Sequence, residues 1–318
     1  MLVAAAAIVL TSCHKSTVPA RRPCRHHLRR VVPEGHSVHR LAQGIHRAFA
    51  GESLRASSPQ GRFTVGAAEI DGRVFERAEA WGKHLFLEFE ADLLVHVHLG
   101  LYGAMLSARC PAPEPRGAVR LRLEGSSSYA DLRGPTACDL LGSGGRDAII
   151  ARLGPDPLRP DCEPERALRR IAGSRVAIGA LLMDQSVLAG VGNIYRAELL
   201  YRHGISPFTQ GRDLSPATFD AMWADLCSLM ADGVRRGRIV TVEGVDADAL
   251  EAIDADRIAP HDPDLDGGED TPARRRQRRN TGVYVYNRAG RACVRCGSSI
   301  AAQDFHGRRL FWCPSCQS

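Results

Sequence analysis

Cys293-Val294-Arg295-Cys296 and Cys313-Pro314-Ser315-Cys316 stand sixteen residues apart, a C-x2-C-x16-C-x2-C pattern at the end of a 318-residue chain. Two such pairs can place four thiolates around one tetrahedral zinc ion with no open position, the arrangement of a structural rather than a catalytic site. The other six cysteines, at 13, 24, 110, 138, 162 and 227, are scattered singly and make no disulfide framework. That usage suits a reducing cytosol, where paired cysteines bind metal more often than one another. Two disulfides or idle thiols are the alternative. Between the pairs, Gly307-Arg308-Arg309-Leu310-Phe311-Trp312 reads as part of a β-hairpin whose tip is fixed by the metal. A rigid tip bearing Arg308 suits phosphate contact, although an arginine there taken alone is also an ordinary solvated charge.

The charge around this module matters more than the total. Of the net +6, residues 1 to 32 supply six bases and no acid, which leaves 36 bases against 36 acids in the rest. From Glu243 to Asp270 there are eleven acids and one base, whereas Thr271 to Ser318 hold ten arginines and one acid, Asp304. A locally basic C-terminal module is the footprint of phosphate binding. At the other end, Met1 to Leu10 is apolar and runs into Leu10-Thr11-Ser12-Cys13, which is similar to a lipoprotein cleavage box. The run is too short to span a bilayer, no Lys or Arg precedes it, and an Arg/Pro/His-rich stretch follows. Residues 1–32 are therefore read as a leader or a wrongly included extension, with export as the alternative and no membrane partner expected.

Periodicity divides the remainder. Val38, Leu41, Ala42, Ile45 and Phe49 fall at helical spacing, so 36–50 is an amphipathic helix. Short segments of strand character follow at 63–65, 73–76, 84–89, 93–99, 119–123 and 127–130, with Gly, Pro and Ser between them, which indicates a β-sandwich. Leu153-Gly154-Pro155-Asp156-Pro157-Leu158 closes this unit as a linker. Helical patterns then occupy 164–172, 176–184, 193–203 and 215–235. The acidic stretch and the run Arg274 to Arg279 have no hydrophobic period and read as a mobile insertion. The expected architecture is multidomain α+β: a sandwich with a flanking helix at 33–157, a helical domain at 158–242, a charged linker at 243–282 and a cysteine hairpin at 283–318.

Four separate stretches carry a family likeness. Pro33-Glu34-Gly35-His36-Ser37-Val38-His39-Arg40 resembles the mature start of the Fpg/Nei (endonuclease VIII-like) family of DNA glycosylases and abasic-site lyases, although here it lies 32 residues inside the chain. By itself, Pro-Glu also reads as a helix opening. Trp81-Gly82-Lys83-His84 is similar to the family's Gly-Lys turn, and Leu181 to Glu198, with Gly190-Val191-Gly192-Asn193, is similar to its helix-two-turns-helix signature. Glycines at a helix start also let backbone amides approach a phosphate, or simply make a packing turn. His98-Leu99-Gly100-Leu101-Tyr102-Gly103 resembles the loop that fills the gap left by a flipped base, while buried strand residues would look alike.

The resemblance implies a role for each of these residues. A proline amine at Pro33 attacks C1′ of the damaged nucleoside, and Glu34 protonates the sugar ring oxygen. Lys83, Asn193 and Arg308 bind the phosphates around the lesion, Leu101 and Tyr102 act as wedges, and Cys293, Cys296, Cys313 and Cys316 hold one structural zinc. It also implies base excision repair on damaged DNA by a cytoplasmic, nucleoid-associated monomer. Oxidised pyrimidines are favoured, with oxidised purines or a non-catalytic damaged-DNA-binding role as alternatives. An internal proline is a tertiary amide and no nucleophile, so the scheme requires translation to begin at Val32 with the initiator removed. Many relatives carry a second glutamate where this chain has Ser37, and the lesion pocket is not carried over in detail.

Overall fold

A computed structural model describes residues 33–244 and 282–318. The leader expected at 1–32 and nearly all of the charged insertion expected at 243–282 lie outside the described residues.

Helix α1 (Gly35–Phe49) buries Val38, Ala42, Ile45 and Phe49 along one stripe, the face that the spacing predicts. That stripe packs chiefly on β2 of a two-sheet sandwich. One antiparallel sheet has the order β1-β6-β7-β5, from β1 (Arg55–Ser57), β6 (Val119–Glu124), β7 (Ser128–Arg133) and β5 (Ala104–Arg109). The other runs β2-β3-β4-β8, from β2 (Phe75–Trp81), β3 (His84–Phe89), β4 (Leu93–His98) and β8 (Ala137–Leu141). Phe49, Phe75, Leu85, Leu87, Val95, Val97, Leu121, Leu123 and Leu132 form one core with α1.

Three expectations change here. Residues 63–65 are not a strand: Phe63 precedes α2 (Thr64–Ile70) and its buried ring lies under Gly66, while Val65 is exposed. The apolar run marks one buried anchor rather than an alternating face. Strands β1, β5 and β8 went unread; β1 and β5 bury almost none of their side chains, so they carry little alternation to detect. The segment 153–158 is no loose linker, because Leu153 to Pro157 are all buried.

After α3 (Gly145–Ile150), whose Ile149 packs with Phe86 of β3, the helical domain contains α4 (Pro164–Ala172), α5 (Ile178–Leu181), α6 (Asn193–Arg202) and α7 (Pro216–Arg236). The helix expected over 176–184 shortens to a single turn in α5. Ser215 caps α7 by accepting the Thr218 N–H at 3.1 Å, and Gly237, at φ +70°, ends it. No helix among the described residues is long and apolar enough to cross a membrane.

In the C-terminal module β9 (Ala301–Phe305) pairs with β10 (Arg308–Trp312). His306 and Gly307, at φ +48° and +72°, make the tight turn between them. The cysteines sit at the opposite end of the hairpin from this turn, so a bound ion fixes its base, not its tip as the sequence pattern implied. Tyr284, Val285, Ile300 and Phe311 pack with Ala197 and Tyr201 of α6 as a separate small core.

Sandwich and helical domain meet backbone to backbone. Gly82, in the β2–β3 turn at φ +57°, leaves 2.9 Å between an added Cβ and both Ala189 Cβ and Gly190 N. A Gly82→Ala change should therefore lower unfolding free energy by about 2–4 kcal/mol from left-handed strain and overpacking, read as a fall in the urea midpoint with an unchanged slope.

Candidate active site and nucleic-acid interface

The chain around Pro33 is fixed by its neighbour. Glu34 is fully buried, and its carboxylate accepts the N–H groups of Gly192 (3.1 Å), Ile194 (2.8 Å) and Tyr195 (3.3 Å). These are the free donors at the start of α6, where the helix dipole also favours an anion. The amides that the glycine motif was expected to offer to a phosphate are thus engaged by the protein's own carboxylate. Gly35 N donates to Gly190 O at 2.8 Å, so α1 begins directly on the Gly190–Asn193 loop. Ser37 donates its hydroxyl back to Glu34 O at 2.8 Å and contributes no second carboxylate.

Lys83 reaches the same loop. Its Nζ donates to Val191 O at 2.8 Å, and Gln185 Nε2 donates to that carbonyl at 2.9 Å. Burial raises the Glu34 carboxyl above its ordinary range against the opposing pull of Lys83 and the three amides. Burial also lowers the Lys83 ammonium, opposed by Glu34 and reinforced by the positive charge of Arg308. Glu34, next to Pro33 in the chain, is therefore within electrostatic reach of Lys83, and Lys83 within that of Arg308.

Asn193 turns toward the hairpin. Its Nδ2 donates to Arg309 O at 2.9 Å, its Oδ1 accepts from Arg196, and Arg196 Nη2 also reaches Arg309 O at 3.3 Å. Burial pulls the Arg196 guanidinium down to about 10. Arg308 itself is exposed at the start of β10. On the β4–β5 loop, Tyr102 is 69% exposed and Leu101 is half-buried, while Leu99 is buried. The first two are thus available for contact, not core strand residues.

The four C-terminal sulfurs lie within 4.8 Å of one another, with Cys293 to Cys316 at 3.8 Å and Cys296 to Cys313 at 3.5 Å. A tetrahedral ion with Zn–S bonds of about 2.3 Å requires S···S edges of about 3.8 Å, so the donor set fits one such ion. The Tyr201 hydroxyl lies 3.1 Å from Cys293 Sγ, a contact that suits a thiolate acceptor.

Sequence reasoning missed several residues that support this site. Asp156, fully buried, accepts from Gly82 N and His39 Nε2, each at 2.7 Å. Glu198, also fully buried, accepts the N–H groups of Tyr284, Val285 and Tyr286 at 2.6 to 2.8 Å and so ties the cysteine module to α6. An acid flanked by Pro155 and Pro157 was the available signal for Asp156; nothing local marks Glu198.

Two family models match the chain: the formamidopyrimidine-DNA glycosylase N-terminal domain over residues 32–138 and the formamidopyrimidine-DNA glycosylase H2TH domain over 153–243. The chain belongs to the Fpg/Nei family. It is accordingly a DNA glycosylase and abasic-site lyase by class. Endonuclease 8 1 of Mycobacterium tuberculosis is 47% identical over 291 residues, covering 90% of this chain and 100% of the relative. Probable endonuclease 8 2 of Streptomyces coelicolor is 32% identical, covering 90% and 94%. Among solved structures, a complex of MutM with DNA containing carbocyclic 8-oxo-G superposes with a TM-score of 0.69 at 19% identity, covering 90% of this chain and 100% of that one. Lactococcus lactis Fpg in complex with oxidised-pyrimidine DNA gives 0.69 at 20% identity with the same coverage. The Fpg/Nei fold, with sandwich, H2TH domain and cysteine hairpin, is thus the fold of this chain.

In this member of the family Glu34 also caps α6. Glu34→Ala would leave three buried N–H groups without acceptors, and should cost about 2–4 kcal/mol of stability after partial hydration. Thermal melting of the variant checks this, and an unchanged Tm would contradict the capping geometry.

Proposed function

We propose that this enzyme excises oxidised bases, pyrimidines in preference to purines, through a Schiff base between the sugar and the amine of Pro33, and then cleaves the abasic strand by β,δ-elimination. The observation that carries the reading is the buried Glu34 carboxyl beside Lys83, directly following Pro33. The Pro33 nitrogen pair would form a bond to C1′ as the N-glycosyl bond breaks and the base leaves with its electrons. Glu34, held above the usual carboxyl range by burial, is suited to protonate the ring oxygen and open the sugar. The resulting iminium acidifies C2′–H; loss of that proton expels the 3′ phosphate, and a second elimination expels the 5′ phosphate. Lys83, Asn193 and Arg308 bind the flanking phosphates while Leu101 and Tyr102 occupy the space of the extruded base.

The pyrimidine preference is supported by greater identity to relatives named endonuclease 8 1, at 47%, than to those named formamidopyrimidine-DNA glycosylase, at 29–30%. The requirement for a free Pro33 amine agrees with a family match that begins at residue 32. The same reading has the protein act as a monomer in the cytoplasm, at the nucleoid, with one structural zinc held by Cys293, Cys296, Cys313 and Cys316.

Protein beginning at Pro33 should be trapped on abasic DNA by borohydride, and protein beginning at Met1 should not. No adduct with the shorter form, or equally fast trapping with the longer, would overturn the scheme. A duplex panel should show faster release of oxidised pyrimidines than of 8-oxoguanine; the reverse order would assign the purine alternative. Metal analysis should find one zinc per chain. Cys313→Ser should lose that zinc and weaken abasic-DNA binding by about tenfold or more, as removal of a phosphate clamp requires.

A further inference from the structure

One fully buried carboxylate joins three elements and takes no part in the chemistry above. Asp156 Oδ2 accepts Gly82 N–H at 2.7 Å and lies 2.7 Å from His39 Nε2, while Oδ1 accepts Leu158 N–H at 2.9 Å. His39 belongs to α1, Gly82 to the β2–β3 turn, and Asp156 to the buried segment entering the helical domain. Since Oδ2 already accepts the Gly82 N–H, the matching arrangement has His39 donate from Nε2 to the same oxygen. A second tie, Trp81 Nε1 to Gly154 O at 3.2 Å, holds the same turn to the same segment. Gly82 directly precedes Lys83, and its positive φ makes the direction in which Lys83 leaves the turn depend on how peptide 82 is held.

We propose that Asp156 is a positioning residue: by receiving the Gly82 and His39 N–H groups on one oxygen, it locks the Gly82-Lys83 turn to α1 and keeps Lys83 Nζ on the Val191 carbonyl beside Glu34. The proposal rests on the reading of Lys83 as a residue that acts on bound DNA. Removing a partner from a buried hydrogen-bonded carboxylate leaves uncompensated polar groups, and displacement of a contacting side chain by about 1 Å can cost two orders of magnitude in rate. Asparagine is the discriminating isostere. If its oxygen faces Gly82 and His39, its NH2 opposes the Leu158 N–H; if it flips, the NH2 opposes the other two donors.

The test is single-turnover cleavage of abasic DNA by protein beginning at Pro33, with affinity for a non-cleavable tetrahydrofuran duplex measured in parallel. Asp156→Asn should slow cleavage by about tenfold or more and alter affinity much less. In a Lys83→Ala background it should add nothing further, because its effect is transmitted through Lys83. His39→Ala, which removes one donor on a half-buried side chain of α1, should slow cleavage several-fold, and His39→Gln, whose amide can donate, should restore it. This pair keeps the proposal open to refutation should Asp156→Asn fail to fold. Full-rate cleavage by Asp156→Asn, or effects of Asp156→Asn and Lys83→Ala that multiply, would overturn it. Full activity of Lys83→Ala would instead overturn the Lys83 reading on which it stands.

Discussion

The Glu34 carboxylate on the first turn of α6 is the contact around which the two larger domains are arranged. A buried carboxyl is costly unless donors surround it, and this one accepts three backbone N–H groups at a helix start and lies within reach of the charge of Lys83. Close approach then dictates composition. A Cβ at residue 192 would lie 2.4 Å from Glu34 Cδ, and one at residue 35 would lie 2.9 Å from Gly190 Cα. The Gly190-Val191-Gly192 sequence is thus required by a protein carboxylate and a crossing backbone, and need not be explained by phosphate.

Under the function proposed above, stability and chemistry share this one residue. Burial pushes the Glu34 carboxyl up and the Lys83 ammonium down, so for both groups it favours the neutral form. On the proposed route a new positive charge, the iminium, forms at the nitrogen of the preceding residue. A carboxyl whose ionisation is suppressed by burial is then positioned to give up its proton as that charge appears, since a nearby cation favours the anion. Loss of activity in a Glu34 variant therefore reports on the acid only if the helix cap is shown to survive.

Much of this molecule was legible from spacing. The stripe of Val38, Ala42, Ile45 and Phe49, the helical pattern over 215–235, and the cysteine pairs each state a periodic or stereochemical requirement, and the elements appear where those requirements place them. What stayed hidden depends on long-range pairing. Strand β5 exposes most of its side chains and is a strand only because β7 is beside it. Residues 153–157 look like punctuation, with two prolines and a glycine, yet they are buried because Gly154 fits under Val187 and its N–H reaches Gln185 O at 2.8 Å. Proline and glycine mark where a chain cannot be regular; they do not tell whether it is covered. The supports Asp156, Arg196 and Glu198 are hard to read from sequence, because most of their partners are backbone atoms distant in the chain and the side chains they meet, His39 for Asp156 and Thr241 for Glu198, are equally remote.

The hairpin carrying Arg308 shows how such anonymous partners aim an exposed charge. Four sulfurs hold its base, and Glu198 holds the segment leading into it. Near its turn, Asn193 and Arg196, both on α6, direct side-chain donors at the carbonyl of Arg309. Because Arg309 O is one residue from Arg308, and α6 starts on Glu34, the orientation of the arginine is referred to the same helix terminus as the carboxyl it would serve. A two-residue turn with no side chain in a core could otherwise pivot on its cysteine-lined base. The place of Arg308 relative to Glu34 is thus set by a helix, not by the loop that displays it.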